Sequence, residues 1–179
     1  YHAAAGGVGQ IVAQWGRGLG LKVIGTVSDE RKAEVARAAG CSDVINYRTE
    51  NFVDRVMEIT KGRGVRAVFD SVGKDTFKDS LRALAVRGML VVFGKASGDL
   101  PDVNPFDLAP RSMQLAWPIL PHYVGTREQL VTAAADLFDA VATGVVDARP
   151  ARVYPFEQLV QAHRDLEERR TVGSAVLKF

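Results

Sequence analysis

A glycine-rich turn near the start of the chain is the feature best suited to bind a phosphate. Residues 3–9 read AAAGGVG. Gly6 and Gly7 lack a Cβ atom, which lets the backbone approach a pyrophosphate closely, and Gly9 lets the next helix lie near a sheet. The first N–H groups of a helix that begins at Gly7 or Val8 would point at the anion. The pattern favours dinucleotide binding, and a glycine-rich turn that binds no dinucleotide is the alternative.

Polar residues about 20 positions after this turn bear on the choice of coenzyme, because NAD-preferring sites carry Asp or Glu there to bind the ribose hydroxyls. Here Ser28 stands near that position and Lys32 follows it. A hydroxyl and a cation suit the 2′-phosphate of NADPH. Asp29 would repel that phosphate if its carboxylate faced inward, but it also suits the N-cap of the next helix. The residues favour NADPH, and the alternative is that Ser28 and Lys32 are ordinary surface positions.

The elements that must position these residues alternate between strand and helix as far as Gly94. Helical spacing predicts the intervening helices, one of which carries Leu81 and Leu84. Strands that are apolar throughout indicate a sheet with both faces covered. The pattern predicts an α/β fold of the Rossmann type, a doubly wound parallel sheet with helices on both faces and ligands at the carboxyl ends of its strands. The apolar runs predict strands at residues 21–27, 44–45, 65–69 and 89–93.

Beyond Gly94 the alternation stops. The elements of this part are predicted from glycine, proline and apolar spacing. A long loop precedes a strand at Met113–Trp117, an amphipathic helix follows at Thr126–Ala142, and a strand, a helix and a last strand complete the tail. We expect a dinucleotide-binding domain over residues 1–147 and a separate C-terminal segment over residues 148–179.

The composition excludes several classes of function. The chain has 179 residues with 23 Lys and Arg against 21 Asp and Glu, too even a balance for a dedicated nucleic-acid binder. No apolar run is long enough to span a membrane. The single cysteine, Cys41, excludes an internal disulfide framework and a cysteine-cluster metal site. His2, His122 and His163 lie far apart and share no ligand spacing, so we expect each to be a structural or surface histidine and predict no catalytic acid or base. A cytoplasmic setting is expected.

Several blocks together carry a resemblance to a known family. They are HAAAGGVG at residues 2–9, VINYR at 44–48, FDSVG at 69–73, VFG at 92–94 and RxTxG at 169–173. Over essentially its whole length the chain resembles the zinc-independent quinone oxidoreductases, the zeta-crystallin-like branch of the medium-chain dehydrogenase/reductase superfamily. The resemblance implies NADPH-dependent reduction of a quinone or a related conjugated carbonyl.

The resemblance also implies roles for individual residues. Gly7 and Val8 would lie against the pyrophosphate, and Tyr47 would join Ser28 and Lys32 at the 2′-phosphate. Three further groups follow. Ser71 and Val72 would wall the adenosine side, Phe93 and Gly94 would lie beside the nicotinamide, and Arg169 would reach back to the cofactor from the tail. The implied cofactor-binding set is Gly6, Gly7, Val8, Gly9, Ser28, Lys32, Tyr47, Ser71, Val72, Phe93, Gly94 and Arg169.

The start of the chain departs from the family pattern. The sequence opens with Tyr1-His2 and enters the glycine turn after only a stub of a strand, which suggests a C-terminal fragment. Family members carry an N-terminal GroES-like catalytic domain, and residues 148–179 would pack on that absent domain. Members also dimerise through the strand near Met113–Trp117, so a homodimer is expected.

Two other functions remain open from the sequence. The first is an enoyl reductase of the polyketide or fatty-acid type, since those modules share the glycine turn. The blocks at residues 46–48 and 70–73 favour the quinone branch instead. The second is an NADPH-binding module without turnover, and the isolated chain is expected to be inactive. In each case the partner is a small molecule and neither a nucleic acid nor a membrane.

Overall fold

The computed structural model describes residues 1–168 and 170–179. Helices and strands alternate through the first half, as the apolar pattern predicts. The elements are α1 (Gly7–Gly18), β1 (Ile24–Val27), α2 (Glu30–Ala38), β2 (Asp43–Asn46), α3 (Phe52–Ile59), β3 (Val65–Asp70), α4 (Phe77–Arg82), β4 (Leu84–Val92), β5 (Gln114–Ala116), α5 (Arg127–Ala142), β6 (Arg152–Pro155), α6 (Leu159–Glu167) and β7 (Ala175–Lys178).

The strands of the first half form a parallel sheet joined through the start of the chain. β1 pairs with β2, and β3, β4 and β5 pair in that order, all in parallel. Residues 1–4 lie between these two groups, because the His2 N–H donates to the Phe69 carbonyl and the Ala4 N–H to the Thr26 carbonyl, both at 3.1 Å. The spatial order is therefore β2, β1, residues 1–4, β3, β4, β5. This confirms the predicted Rossmann-type sheet with a short first strand.

Helices cover both faces of this sheet, as predicted. Thr26 pairs with Ile45 and Val27 with Asn46, so the side chains of Ile45 and Val27 point to opposite faces. Val27 belongs to an apolar cluster with small residues of α1 and α2. Ile45 belongs to a second cluster with larger side chains of α3 and α4. The small residues let α1 and α2 pack close to the backbone of the sheet, next to the glycine turn.

The boundary between α4 and β4 differs from the prediction. Leu84 does not continue the helix that carries Leu81, because α4 ends at Arg82 and Leu84 is the first residue of β4. Both side chains are buried in one cluster. Their three-residue spacing therefore comes from a helix and a strand that supply the same core, not from one helical face.

The tail returns to the glycine turn. β6 and β7 pair in parallel, and α6 lies between them in sequence. The Gly173 N–H donates to the Ala5 carbonyl at 2.9 Å, and Gly173 forms a bridge with Gly6. In the described part of the chain, no helix combines the length and apolarity needed to span a bilayer.

The helix α5 begins at a capping box, in which Thr126 accepts from the Gln129 N–H and the Gln129 side chain accepts from the Thr126 N–H. The predicted amphipathic helix at residues 126–142 is thus confirmed. Part of its apolar surface is exposed in the described part of the chain, at Leu130, Val131 and Phe138, whereas Ala140 is buried.

Candidate functional site

The glycine turn has the geometry that a phosphate-binding turn requires. Gly6 is the N-cap of α1 and its backbone is extended, so the helix begins at Gly7 as predicted. An added Cβ at Gly9 would lie 2.6 Å from the Ala3 carbonyl oxygen and 2.7 Å from the Ala4 carbonyl oxygen. Only a glycine lets α1 pass this close to the backbone. Residues 1–4, which lie between β1 and β3, are called the central segment below. The first N–H groups of α1 consequently stand at the carboxyl end of this segment, where an anion would meet them.

Ser174 also borders this turn, and the sequence did not single it out. A Cβ added at Gly7 would lie 3.1 Å from the Cβ of Ser174. The tail therefore closes one side of the turn. The RxTxG block at residues 169–173 is adjacent to Ser174, but the residue predicted from it to contact the cofactor is Arg169. Arg169 lies outside the described residues.

Ser28, Asp29 and Lys32 form one polar cluster just after β1. The Asp29 Oδ1 accepts from the Lys32 N–H at 3.0 Å, which confirms Asp29 as the N-cap of α2. The Ser28 hydroxyl donates to the Asp29 Oδ2 at 2.8 Å, and the Lys32 Nζ donates to the Ser28 Oγ at 3.1 Å. The Lys32 backbone N–H, followed by the Ser28 hydroxyl, holds the pKa of Asp29 below its ordinary value. The Asp29 carboxylate therefore serves the cap and also faces the two side chains predicted to hold a phosphate.

Tyr47 lies beside this cluster. Its N–H donates to the Val27 carbonyl at 3.1 Å, which places Tyr47 next to Ser28 at the carboxyl end of the neighbouring strand. The Tyr47 side chain is 46% exposed, so the ring is accessible to a ligand. The structure thus places Tyr47 at the strand end next to the one followed by Ser28 and Lys32, the other two residues predicted for this phosphate subsite.

The ends of β3 and β4 meet at the same edge of the sheet. The Phe93 N–H donates to the Asp70 carbonyl at 2.9 Å, and a Cβ added at Gly94 would lie 2.8 Å from the Ser71 carbonyl oxygen. The Tyr1 ring stands 6.1 Å from Phe69 and 5.9 Å from Phe93, measured between ring centroids. Phe93 remains 38% exposed.

A buried carboxylate shapes the turn that follows β3. Asp70 has no exposed surface, and its Oδ1 accepts from the Val72 N–H at 2.8 Å and the Gly73 N–H at 3.0 Å. The Thr76 hydroxyl binds the same carboxylate, and the Ser80 hydroxyl donates to its Oδ2 at 2.9 Å. Asp70 therefore fixes the backbone of Ser71 and Val72, the pair predicted to wall the adenosine.

His2 continues this network through the core and is a structural histidine. Its Nε2 lies 2.9 Å from the Ser80 Oγ and its Nδ1 2.8 Å from the Thr26 Oγ1. Because Ser80 donates its proton to Asp70, the His2 Nε2–H must donate to Ser80 and Nδ1 accepts from Thr26. Burial lowers the pKa of His2 to about 4, although Asp70 opposes the shift. His2 is therefore neutral near pH 7, and it links β1, the first residues and α4.

The site residues in the described part of the chain share one edge of the sheet, formed by the carboxyl ends of its parallel strands. Ser28 follows β1, Tyr47 follows β2, Ser71 follows β3 and Phe93 follows β4, with the glycine turn in the middle. This is the edge at which open α/β sheets bind ligands. Among residues 1–168 and 170–179, no three His, Cys, Asp or Glu side chains are grouped so that they could hold a metal ion.

The chain is similar to a family model and to full-length relatives of known name. The family model described as zinc-binding dehydrogenase matches residues 7–144. Quinone oxidoreductase 1 of Escherichia coli (strain K12) is 47% identical over 180 residues, which cover 99% of this chain and 55% of that protein. The 2-haloacrylate reductase of a Burkholderia species is 46% identical over 178 residues, covering 98% of this chain and 54% of that protein. The chain thus spans about half the length of these relatives.

A solved structure agrees with the sequence comparison. The crystal structure of Escherichia coli quinone oxidoreductase complexed with NADPH superposes with a TM-score of 0.92 at 46% sequence identity. The match covers 98% of this chain and 55% of that one. The fold predicted from the alternation of strands and helices is therefore the fold of that protein over the matched half.

Proposed function

Because the chain belongs to the zinc-binding dehydrogenase family, we propose that it is the cofactor-binding part of an oxidoreductase that transfers hydride from NADPH to a quinone or a similar conjugated carbonyl. The close approach of α1 to the central segment at Gly9 is the observation that carries the proposal, since it sets helix N–H groups at the ligand-binding edge. The similarity to a quinone oxidoreductase crystallised with NADPH supports the same coenzyme.

The residues of this edge fit the dinucleotide in shape and chemistry. Gly6, Gly7, Val8 and Gly9 would hold the pyrophosphate against the N-terminus of α1. Three more groups would complete the site. Ser28, Lys32 and Tyr47 would hold the 2′-phosphate, Ser71 and Val72 the adenosine, and Phe93 and Gly94 the nicotinamide, and we propose the same cofactor contact for Arg169.

The chain's own contribution to the reaction is binding and orientation. Bound NADPH supplies the hydride, and the protein has to hold the nicotinamide ring at a fixed distance from the acceptor. Phe93 and Gly94 suit this task because Gly94 packs against the Ser71 carbonyl and holds the end of β4 in place. No side chain of this chain is assigned as a catalytic acid or base.

A reductase of electron-poor alkenes is the second candidate. A 2-haloacrylate reductase matches this chain at 46% identity, almost as well as the quinone oxidoreductase. Both acceptors contain a carbon–carbon double bond that a conjugated carbonyl or carboxyl group makes electron-poor. The coenzyme half of the enzyme is the same for each, so the residues described above do not choose between them.

The tail and the sheet edge support three further parts of the proposal. Residues 148–179 would pack on a GroES-like catalytic domain, with residues 1–147 as the dinucleotide-binding domain. A groove of about 350 Å³ in the tail, lined by Leu159, Leu166 and Val176 among others, is suited to such packing. β5 is an edge strand followed by the exposed Trp117, which would serve a homodimer. We also propose zinc-independent chemistry and a cytoplasmic location, on the family resemblance.

Calorimetric titration with NADPH and NADH tests the coenzyme assignment on this chain. We expect one NADPH per chain, bound more tightly than NADH, and no oxidation of NADPH by 1,4-benzoquinone or 2-chloroacrylate beyond the rate measured without protein when the chain is added alone. A protein that joins this chain to a GroES-like catalytic domain should oxidise NADPH with one of these acceptors. NADPH binding without turnover in that longer protein would favour a binding module, and turnover only with an enoyl thioester would favour an enoyl reductase.

A further inference from the structure

The Asp29 carboxylate occupies the donors that a 2′-phosphate would need. The Ser28 hydroxyl donates to the Asp29 Oδ2 at 2.8 Å, and the Lys32 Nζ lies 3.7 Å from the same oxygen. The side chain of Lys32 is only 21% exposed, so its ammonium is held near the cluster instead of extending into solvent. A bound phosphate oxygen has to accept from the same hydroxyl and the same ammonium. The carboxylate is therefore in place as a competing acceptor.

The position of this carboxylate is fixed by the fold. The Asp29 Oδ1 caps α2 through the Lys32 N–H at 3.0 Å, and the cap directs Oδ2 towards Ser28. Turning the side chain away would give up the cap, which is worth about 1 kcal/mol in typical helices. The phosphate and the carboxylate therefore share one subsite in the bound state.

The neighbouring charges do not cancel this competition. Glu30, the next acid along the chain, is paired with Arg37 at 2.5 Å, seven residues further along α2. Arg48 acts on Asp29 through its charge, so it attracts both the carboxylate and an incoming phosphate. In the described part of the chain, Asp29 is an acidic group in direct contact with both Ser28 and Lys32.

We propose that Asp29 is a specificity-determining residue that limits the preference of this chain for NADPH over NADH. A phosphate near charge −2 meets a fixed negative charge within the same cluster, which weakens NADPH binding, whereas NADH carries only hydroxyls at that position. The inference rests on the proposed function, because it assumes that the cluster receives the 2′-position of the coenzyme. Asp29 thereby combines a structural task, the helix cap, with control of coenzyme choice.

The Asp29→Asn variant separates these two tasks. Asparagine caps helices as well as aspartate does, so α2 keeps its N-cap, while the negative charge is lost and an amide donor takes its place. The matched control is Glu30→Gln, which removes the same charge one residue further on and leaves the Ser28 cluster intact. Each chain is titrated by calorimetry with NADPH, NADH and 2′,5′-ADP, and circular dichroism verifies that it is folded.

We expect Asp29→Asn to tighten NADPH and 2′,5′-ADP on the order of tenfold, because a unit charge at hydrogen-bonding range from a doubly charged group has an effect of that size in a partly exposed site. NADH should bind as before or more weakly. The gain should shrink as salt is added, since screening weakens the repulsion. Glu30→Gln should change the ratio of NADPH to NADH affinity far less.

Three results would overturn the inference. An unchanged ratio of NADPH to NADH affinity in Asp29→Asn would show that the carboxylate does not act on the phosphate. An equal gain in Glu30→Gln would show that only net charge matters. If the folded wild-type chain binds neither coenzyme, the proposed function fails and this inference fails with it, whereas normal binding with an unchanged ratio removes the inference alone.

Discussion

Replacing Gly9 with alanine tests whether the glycine turn works through close packing. Within a helix, glycine is ordinarily less stable than alanine by about 0.5–1 kcal/mol, so an open site would gain stability from the change. At Gly9 the new Cβ would lie 2.6 Å from the Ala3 oxygen, 2.7 Å from the Ala4 oxygen and 2.8 Å from the Ala4 carbonyl carbon. All three are backbone atoms of the central segment, so no side chain can rotate to make room.

The helix must therefore move. Ordinary van der Waals contact begins near 3.4 Å, so relief requires α1 to withdraw by somewhat less than about 1 Å. Overpacking of this kind costs about 1–3 kcal/mol, which reverses the gain expected of an alanine. The same displacement moves the first N–H groups of α1 away from the pyrophosphate. We expect a lower free energy of unfolding in urea and NADPH affinity reduced by about tenfold, which corresponds to 1.4 kcal/mol.

Gly16→Ala is the matched control within the same helix. Its Cβ would meet a methyl carbon of Val23 at 2.9 Å, the end of a side chain that can shift, and no backbone atom within contact distance. We expect a stability close to that of the wild type and an unchanged NADPH affinity. If Gly9→Ala is more stable than the wild type and binds NADPH equally well, the role assigned to close packing at the turn is wrong.

Three further predictions concern the network and the contacts around the site. The folded-state pKa of His2, about 4, lies below the ordinary histidine value of 6.5, so the unfolded state binds more protons. Stability should fall by about 2 kcal/mol or more as the pH drops from 6.5 towards 4, and urea titrations should show this loss reduced in His2→Gln but retained in the exposed-site control His163→Gln. Thr126→Ala removes the capping box and should lower the unfolding free energy by about 1 kcal/mol. Gln14→Ala removes two hydrogen bonds to the Asp147 backbone, at 2.7 and 3.3 Å, and should raise amide exchange in the tail without unfolding the sheet.

The fold was predictable because its signals are local. Several strands are built around a short apolar run, and some helices have a recognisable start, such as Asp29 or the Thr126 capping box. The boundary between α4 and β4 was not predictable, because Leu81 of α4 and Leu84 of β4 contribute to the same core cluster. Apolar spacing alone does not distinguish one helical face from a helix and strand that share a core.

The site was only partly predictable. The glycine turn, Ser28 and Lys32 could be proposed from the sequence because phosphate binding uses few residue types at nearly fixed spacings. The hydrogen-bond network from Thr26 through His2 and Ser80 to Asp70 could not be predicted, because its members are far apart in sequence. Thr26 lies 24 residues and Ser80 78 residues from His2, and Asp70 lies 10 residues from Ser80. Only the order of the strands brings them together, and no local pattern marks that order.

The double role of Asp29 shows a second limit of sequence reasoning. The sequence favours Asp29 as an N-cap over an inward-facing carboxylate. In the structure one carboxylate oxygen caps α2, and the other accepts from the Ser28 hydroxyl. A residue type indicates which interactions are possible. The direction of the second oxygen depends on the backbone geometry of the turn between β1 and α2.

Amide-resolved NMR of the isotope-labelled chain during titration with NADPH tests the central claim most directly. We expect saturable changes in the chemical shifts of the backbone amides at the carboxyl ends of the strands, namely those of Gly7, Val8, Ser28, Val72 and Gly94. Amides at the opposite edge of the sheet should not shift. A folded chain whose amides at this edge do not respond to NADPH, or that binds it elsewhere, would contradict the account.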